Sequence, residues 1–248
     1  MSEGNSDESP LSAHLITIDG TSGSGKSTLG VALVEALGGA MLDTGAYYRV
    51  AALAVGELWN GEGDLSTQAT EIAIAALHKF EALPYLRGNA VNPEQVCGIW
   101  NGDYVYEQEL QTPKALRYLS AVAALPTVRT EAIKGMRHLS DLLLQAGVSP
   151  VIAVGRDCGT VVWPEAKIKF YLDAPVVERQ KRRERQHQGS VDNLLQRDRA
   201  DQQRTIAPLQ RAADAYSIET HPHDAQRVLE MALEYIKINC INEIPLID

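Results

Sequence analysis

The stretch Gly20-Thr21-Ser22-Gly23-Ser24-Gly25-Lys26-Ser27-Thr28 directly follows the apolar run Leu15-Ile16-Thr17-Ile18. It fits the spacing Gly, any four, Gly-Lys-Ser/Thr, and each residue type in that spacing has a task. The glycines let backbone N–H groups close around phosphate oxygens, the lysine reaches the β- and γ-phosphates, and a hydroxyl faces Mg²⁺. A Gly/Ser turn could match by accident, but the flanks argue for function. A β-branched strand leads in, and Leu29, Val31, Ala32, Leu33, Val34 and Leu37 follow at helical spacing up to Gly38-Gly39. The cradle then sits on a helix N-terminus, where free amides and the helix dipole favour an anion. The expected ligand is a nucleoside triphosphate held by 20–28, with Ser27 as the metal contact.

Two further loops follow apolar runs. Asp43-Thr44-Gly45, with Arg49 beyond it, comes after Ala40-Met41-Leu42, and Gly155-Arg156-Asp157 comes after Val151-Ile152-Ala153-Val154. If these runs are parallel strands of one sheet, all three loops open onto one crevice at the strands' carboxyl ends. A crevice holding Lys26, Arg49 and Arg156 carries more positive charge than docking one nucleotide needs. Phosphoryl transfer does need it, because its transition state spreads negative charge over the transferred group.

Arginines gather downstream: nine of the 23 Lys and Arg lie between Arg179 and Arg211. On a helix, Arg197, Asp201 and Arg204 share one face within a sector of about 60°. Such a run also suits a salt-bridged solvated helix. Its place in the arginine-dense region of an acidic chain favours a face that meets sugar hydroxyls and a base edge. Arg179-Gln180-Lys181-Arg182-Arg183-Glu184-Arg185 reads either as a solvated helix, with Glu178 and Arg182 paired at i, i+4, or as a lid closing cations over a triphosphate. The lid is the favoured reading, with Gly189 supplying flexibility.

The elements that must position these residues follow from periodicity. Strands are expected at about 15–19, 40–42, 151–154, 168–172 and, edge-like, 216–219. Helices are expected to Leu37 and over about 46–56, 69–78, 114–124, 126–145, 176–187, 192–204 and from near Asp224 onward. Alternation of strands with helices gives an α/β fold, a doubly wound parallel five-stranded sheet flanked by helices. Between about 80 and 113 the helical period fades. Asn101-Gly102, between Ile99-Trp100 and Tyr104-Val105-Tyr106, signals a type I′ hairpin within a small β-containing insertion. The expected organisation is a disordered tail (1–12), core (13–62), a part with the insertion (63–115), core again (116–176), lid and substrate-binding helices (177–204), and a C-terminal strand and helix (205–248).

The 248 residues carry a formal net charge of −9, which argues against general affinity for nucleic acid or an anionic membrane surface. Cys97, Cys158 and Cys240 lack metal-ligand spacing and read as free thiols of a reducing compartment. No apolar run approaches a membrane span, and the polar start is no signal peptide, so a cytoplasmic monomer is expected. Cys158 has no histidine placed to activate it and reads as a packed thiol. His221-Pro222-His223 reads as a turn, and Tyr47, Tyr48 and Trp163 as core or pocket wall.

With these residues in place, the chain resembles the bacterial cytidylate kinases, nucleoside monophosphate kinases of the P-loop type. The resemblance runs from about 15 to 235. It rests on Ile18-Asp19-Gly20 through Lys26, Leu42-Asp43-Thr44-Gly45-Ala46-Tyr47-Tyr48-Arg49, Gly155-Arg156-Asp157-Cys158-Gly159-Thr160, Lys169-Phe170-Tyr171-Leu172-Asp173-Ala174, Arg197-Asp198 and Ala207-Pro208-Leu209. It implies ATP with Mg²⁺ as donor, CMP or dCMP as acceptor, and 63–115 as the monophosphate-binding part with its β-rich insertion. Arg49 and Arg156 match residues that hold the acceptor phosphate. Thr44, Arg129, Asp157 and Arg204 match those around cytosine, and Ser120, Arg197 and Asp201 those holding the sugar. Lys26, Arg156, Asp157 and Arg182 are the implied catalytic set, with Arg179 on the ATP. Two positions depart from the family pattern: Val154 stands where a carboxylate is usual, and Gln111 where a basic residue is common. A kinase for another monophosphate, such as UMP, and a non-catalytic nucleotide-binding module are the alternative readings.

Overall fold

Strand β1 (Leu15–Gly20) is buried at all six residues, as a strand covered on both faces must be. The chain continues through α1 (Lys26–Leu37), β2 (Ala40–Asp43), α2 (Thr44–Leu58) and α3 (Leu65–Leu77). Four short strands follow: β3 (Phe80–Ala82), β4 (Tyr85–Leu86), β5 (Val96–Trp100) and β6 (Asp103–Tyr106). Next come α4 (Glu107–Leu110), α5 (Pro113–Arg117), α6 (Leu119–Val122) and the long α7 (Pro126–Gln145). Strand β7 (Val151–Val154), a π-helical turn (Cys158–Val162), β8 (Ile168–Asp173), α8 (Val176–Arg185), α9 (Val191–Gln203), β9 (Tyr216–Glu219) and α10 (Ala225–Asn239) complete it. The computed structural model describes residues 14–59, 65–88, 96–185 and 191–239. The tail, Gly189, Cys240 and the Arg197 side chain lie outside the described residues.

The main sheet has the order β4-β2-β7-β1-β8-β9. The five expected strands are all present and mutually parallel, and β4 adds a sixth, antiparallel to β2. Alternate residues of the central strands feed opposite cores. Leu15, Leu42, Val151 and Ala153 pack with Val50, Met136 and Trp163 of the α2, α3 and α7 side. Ile16, Ile18, Met41, Ile152 and Val154 pack with Leu33, Phe170 and Ile236 of the α1 and α10 side. Continuous apolar runs are therefore what these strands require.

The insertion divides its strands. β3, β5 and β6 form a separate three-stranded sheet, with Asn101 and Gly102 both at positive φ (55° and 91°) as a type I′ turn demands. Tyr85 of β4 instead reaches the core, where its hydroxyl donates to Glu35 of α1 at 2.6 Å. The helix expected over 114–124 is broken at Tyr118, whose ring meets Trp59 edge-on at 5.8 Å between α5 and α6. Helix α7 begins with Pro126 at its first turn, where a missing N–H costs nothing.

Register aligns the strand ends. Val154 lies opposite both Ile18 and Asp43, Gly20 opposite Leu172, and Asp173 opposite Glu219. The segments that leave these strands therefore emerge along one edge of the sheet.

Candidate active site

The loop 20–25 is held at both ends by conformations that suit glycine. A Cβ on Gly20 would stand 1.9 Å from the Leu172 carbonyl oxygen, and Gly23 and Gly25 have φ of 76° and 97°. Within the loop, Ser24 Oγ donates to Thr21 O at 2.9 Å and Thr21 Oγ1 donates to Asp173 at 2.6 Å. Lys26 opens α1 and turns its ammonium back onto Thr21 O at 2.6 Å. Burial, with the nearby Arg156 guanidinium, pushes its pKa well below the usual lysine range. Ser27 and Thr28, on the exposed first turn of α1, complete the cradle. Ser27 also lines a cleft with Asp43, Tyr47, Cys97 and Glu107 at the border of the insertion.

The segment after β7 is anchored by Asp19. Its carboxylate accepts the N–H groups of Cys158 (2.8 Å) and Gly159 (2.7 Å), fixing the start of the π-helical turn. Burial pushes the Asp19 carboxyl up to about 6 against those two hydrogen bonds. So anchored, Arg156 donates to Gly20 O at 2.6 Å and pairs with Asp201 of α9 at 3.2 Å. Gly155 has no room for a side chain, since a Cβ would lie 2.3 Å from Thr44 Oγ1 and 2.5 Å from Cys158 Sγ. Thr44 donates to Val154 O at 2.9 Å, at the head of α2. Cys158 is fully buried with its thiol pushed well up by burial, a packed group and not an activated nucleophile. Val154 packs in the apolar cluster against Met41 and Gly30, where a methyl on Gly30 would come within 2.9 Å of it.

Of the residues matched to the acceptor, Arg129 and Asp157 pair, and Arg156, Asp201 and Arg204 are linked. Arg129 of α7 pairs with Asp157, both nearly buried, and lies over the Tyr48 ring at 5.2 Å. Burial raises the Asp157 pKa, while Arg129 and Arg204 oppose that rise. Arg204 pairs with Asp201, so Asp201 sits between two arginines. Ser120 lies partly buried on α6, which packs against α9. Arg49 stands apart from this group, bound to Asp43 at 2.5 Å. The Nε atoms of Arg49, Arg129 and Arg204 are buried without a hydrogen-bond partner among the described residues. An unpaired buried N–H costs about 1–3 kcal/mol, and Trp100 and Trp163 keep such a group as well.

Helix α8 lies on the phosphate loop. Arg179 donates to Ser22 O (3.0 Å) and Ala174 O (2.9 Å), Arg182 to Gly23 O (3.4 Å) and the Thr220 hydroxyl (2.9 Å), and Arg183 to Ser22 Oγ (2.6 Å). The pairing of Glu178 with Arg182 is not formed: Glu178 takes Lys181 at 2.8 Å and leaves Arg182 to the loop. Asp19, Asp198 and Thr220 were not singled out by spacing. Their partners are remote in sequence, and the one available signal was that Asp19 and Asp198 fall inside motif segments.

A parallel sheet with a glycine-rich phosphate loop on the first helix, facing a cluster of arginines, defines a P-loop phosphotransferase. The model of the cytidylate kinase family matches residues 16–238. The cytidylate kinase of Shewanella putrefaciens is 37% identical over 233 residues, covering 90% of this chain and 95% of that protein. That of Pasteurella multocida is 37% identical over 232 residues, with the same coverage. That of Pseudomonas fluorescens is 35% identical over 240 residues, covering 93% and 98%. The chain belongs to the cytidylate kinase family.

Proposed function

We propose that the protein transfers the γ-phosphoryl group of ATP to CMP or dCMP, giving ADP and CDP or dCDP. The reading is supported above all by Arg156. From one short loop it touches Gly20 of the donor loop and Asp201 of the helix matched to the acceptor, so one guanidinium stands between two half-sites.

Phosphoryl transfer asks a protein for alignment and charge neutralisation more than for covalent chemistry. Lys26 and the amides of 23–28 hold the donor phosphates. Arg179, Arg182 and Arg183 hold the loop's own carbonyls and hydroxyl, and α8 serves as the lid that excludes water. Arg49 and Arg156 take the acceptor phosphate. Asp157 and Thr44 accept from the cytosine amine, and Arg129 and Arg204 donate to its ring acceptors, the pairing that a cytosine edge offers. Ser120, Arg197 and Asp201 hold the sugar. No strong general base is assigned.

Mg²⁺ fits this donor set. Among the described residues no group of three His, Cys, Asp or Glu forms a protein cage for a metal. Ser27 presents one exposed hydroxyl, the partnership expected of an ion that keeps its waters and phosphate oxygens. Bound there, Mg²⁺ neutralises phosphate charge. No described helix is long and apolar enough to cross a membrane.

A coupled ADP-release assay across CMP, dCMP, UMP, AMP and GMP tests the assignment. The cytidine nucleotides should give the highest kcat/KM, and a preference for any other acceptor would overturn it.

A further inference from the structure

Helix α9 carries a second carboxylate one turn before Asp201. Asp198 is 5% exposed, and its two oxygens do different things. One accepts the Ser22 N–H at 3.2 Å, while the other pairs with Arg179. Arg179 in turn donates to the Ser22 carbonyl. Residue 22 is thus gripped at its N–H by Asp198 and at its C=O by Arg179, and the two grips are paired with each other. Asp201 reaches the same loop indirectly, through Arg156 and Gly20 O. One helix therefore has two tethers to the donor loop, one direct and one through a guanidinium.

Electrostatics argues that Asp198 is there for geometry. Its negative charge acts on Lys26 and Arg183, the cations a triphosphate needs. A carboxylate in that position offsets part of their attraction for phosphate, and a neutral residue would bind the anion better. What the carboxylate does supply is a fixed, charge-assisted hold on one peptide of the loop.

We infer that Asp198 is a positioning residue that couples acceptor binding to the donor loop: a nucleotide seated on Asp201 and Arg204 fixes α9, and Asp198 passes that restraint to Ser22. The inference rests on the assignment of that α9 face to the acceptor. Coupling between two sites is reciprocal, so each nucleotide should tighten the other.

The test is calorimetric titration of the full-length protein with the β,γ-imido analogue of ATP, with and without saturating CMP. In the native protein CMP should tighten the analogue by about tenfold. Asp198→Asn keeps an oxygen for the Ser22 N–H but loses the charge that holds the buried Arg179, so Tm should fall, and in the folded variant the factor should drop to about onefold. Asp198→Glu restores the charge at the wrong reach and should recover only part of the factor. An Asp198→Asn protein that retains the native factor overturns the inference, as does a native protein that binds the two nucleotides independently. A native protein that binds no CMP would remove the acceptor assignment as well, so the two failures are distinguishable.

Discussion

Arg129, in the first turn of α7, and Asp157, after β7, form an ion pair whose side chains are 3% and 6% exposed. Neither charge has water to fall back on, so the pair is matched or it is expensive. Arg129→Ala leaves Asp157 buried and unpaired and should lower stability by about 3–5 kcal/mol. Arg129→Leu with Asp157→Asn removes both charges and should recover much of that loss while leaving CMP phosphorylation severely impaired. Urea unfolding and steady-state kinetics on the single and double variants separate the two roles.

Among the described residues the hydrogen bond of Lys26 stays within its own loop, to Thr21 O. Lys26→Ala should therefore leave Tm within a few degrees of native. Turnover should fall by about 10²–10³-fold or more, the scale on which a preorganised charge at a developing anion acts. Near-normal kcat in the same coupled assay would show that the donor site lies elsewhere.

Gly155 has its neighbours Thr44 and Cys158 where a methyl would stand. Gly155→Ala should displace Thr44 and the Arg156-Asp157 pair together. KM for CMP should rise at least about tenfold and by more than KM for ATP, because the segment reaches the donor loop only through Arg156 and Gly20 O. Equal changes in both would argue that the segment after β7 serves the whole fold and not the acceptor.

Asp19 gives stability a pH dependence whose sign is fixed by its raised pKa. Between about 4 and 6 the folded protein keeps a proton on Asp19 that the unfolded chain has lost. The native state is thus progressively disfavoured as pH rises through that window, approaching a constant penalty above it. Asp19→Asn abolishes this term. The stability of the native protein relative to the variant should decline from pH 4 to pH 6 by up to about 3 kcal/mol, at about 1.36 kcal/mol per unit of pKa shift. Urea midpoints measured at matched pH values test it, and parallel curves for the two proteins would refute it.

Much of the scaffold was legible because its signals are local. The apolar runs of β1, β7 and β8, the glycines of the phosphate loop and the Asn101-Gly102 turn each specify their conformation within a few residues. The two-residue β4 carries no period to detect, and its place depends on pairing with β2, remote in sequence. Arg182 shows the limit of helix-spacing rules: an i, i+4 partner was available, yet backbone carbonyls at Gly23 and Thr220 claimed the side chain. The acceptor residues were reached through resemblance, since neither Ser120 nor Arg129 has a neighbour in sequence that hints at a nucleotide. Asp19 and Asp198 carry no local signal of their roles, because the backbone amides they accept from lie 139 and 176 residues away.

Thr220, just past β9, donates its hydroxyl to Ser24 O at 3.0 Å across 196 residues and accepts from Arg182. During synthesis the phosphate loop emerges early, but the contacts that brace Ser24 and orient Arg182 do not exist until residue 220 of 248 has cleared the ribosome. A nascent chain therefore carries Ser24 of the loop through 196 further residues before its bracing exists. Nucleotide then favours, as a folding ligand, chains that extend past Thr220 over those that stop before it.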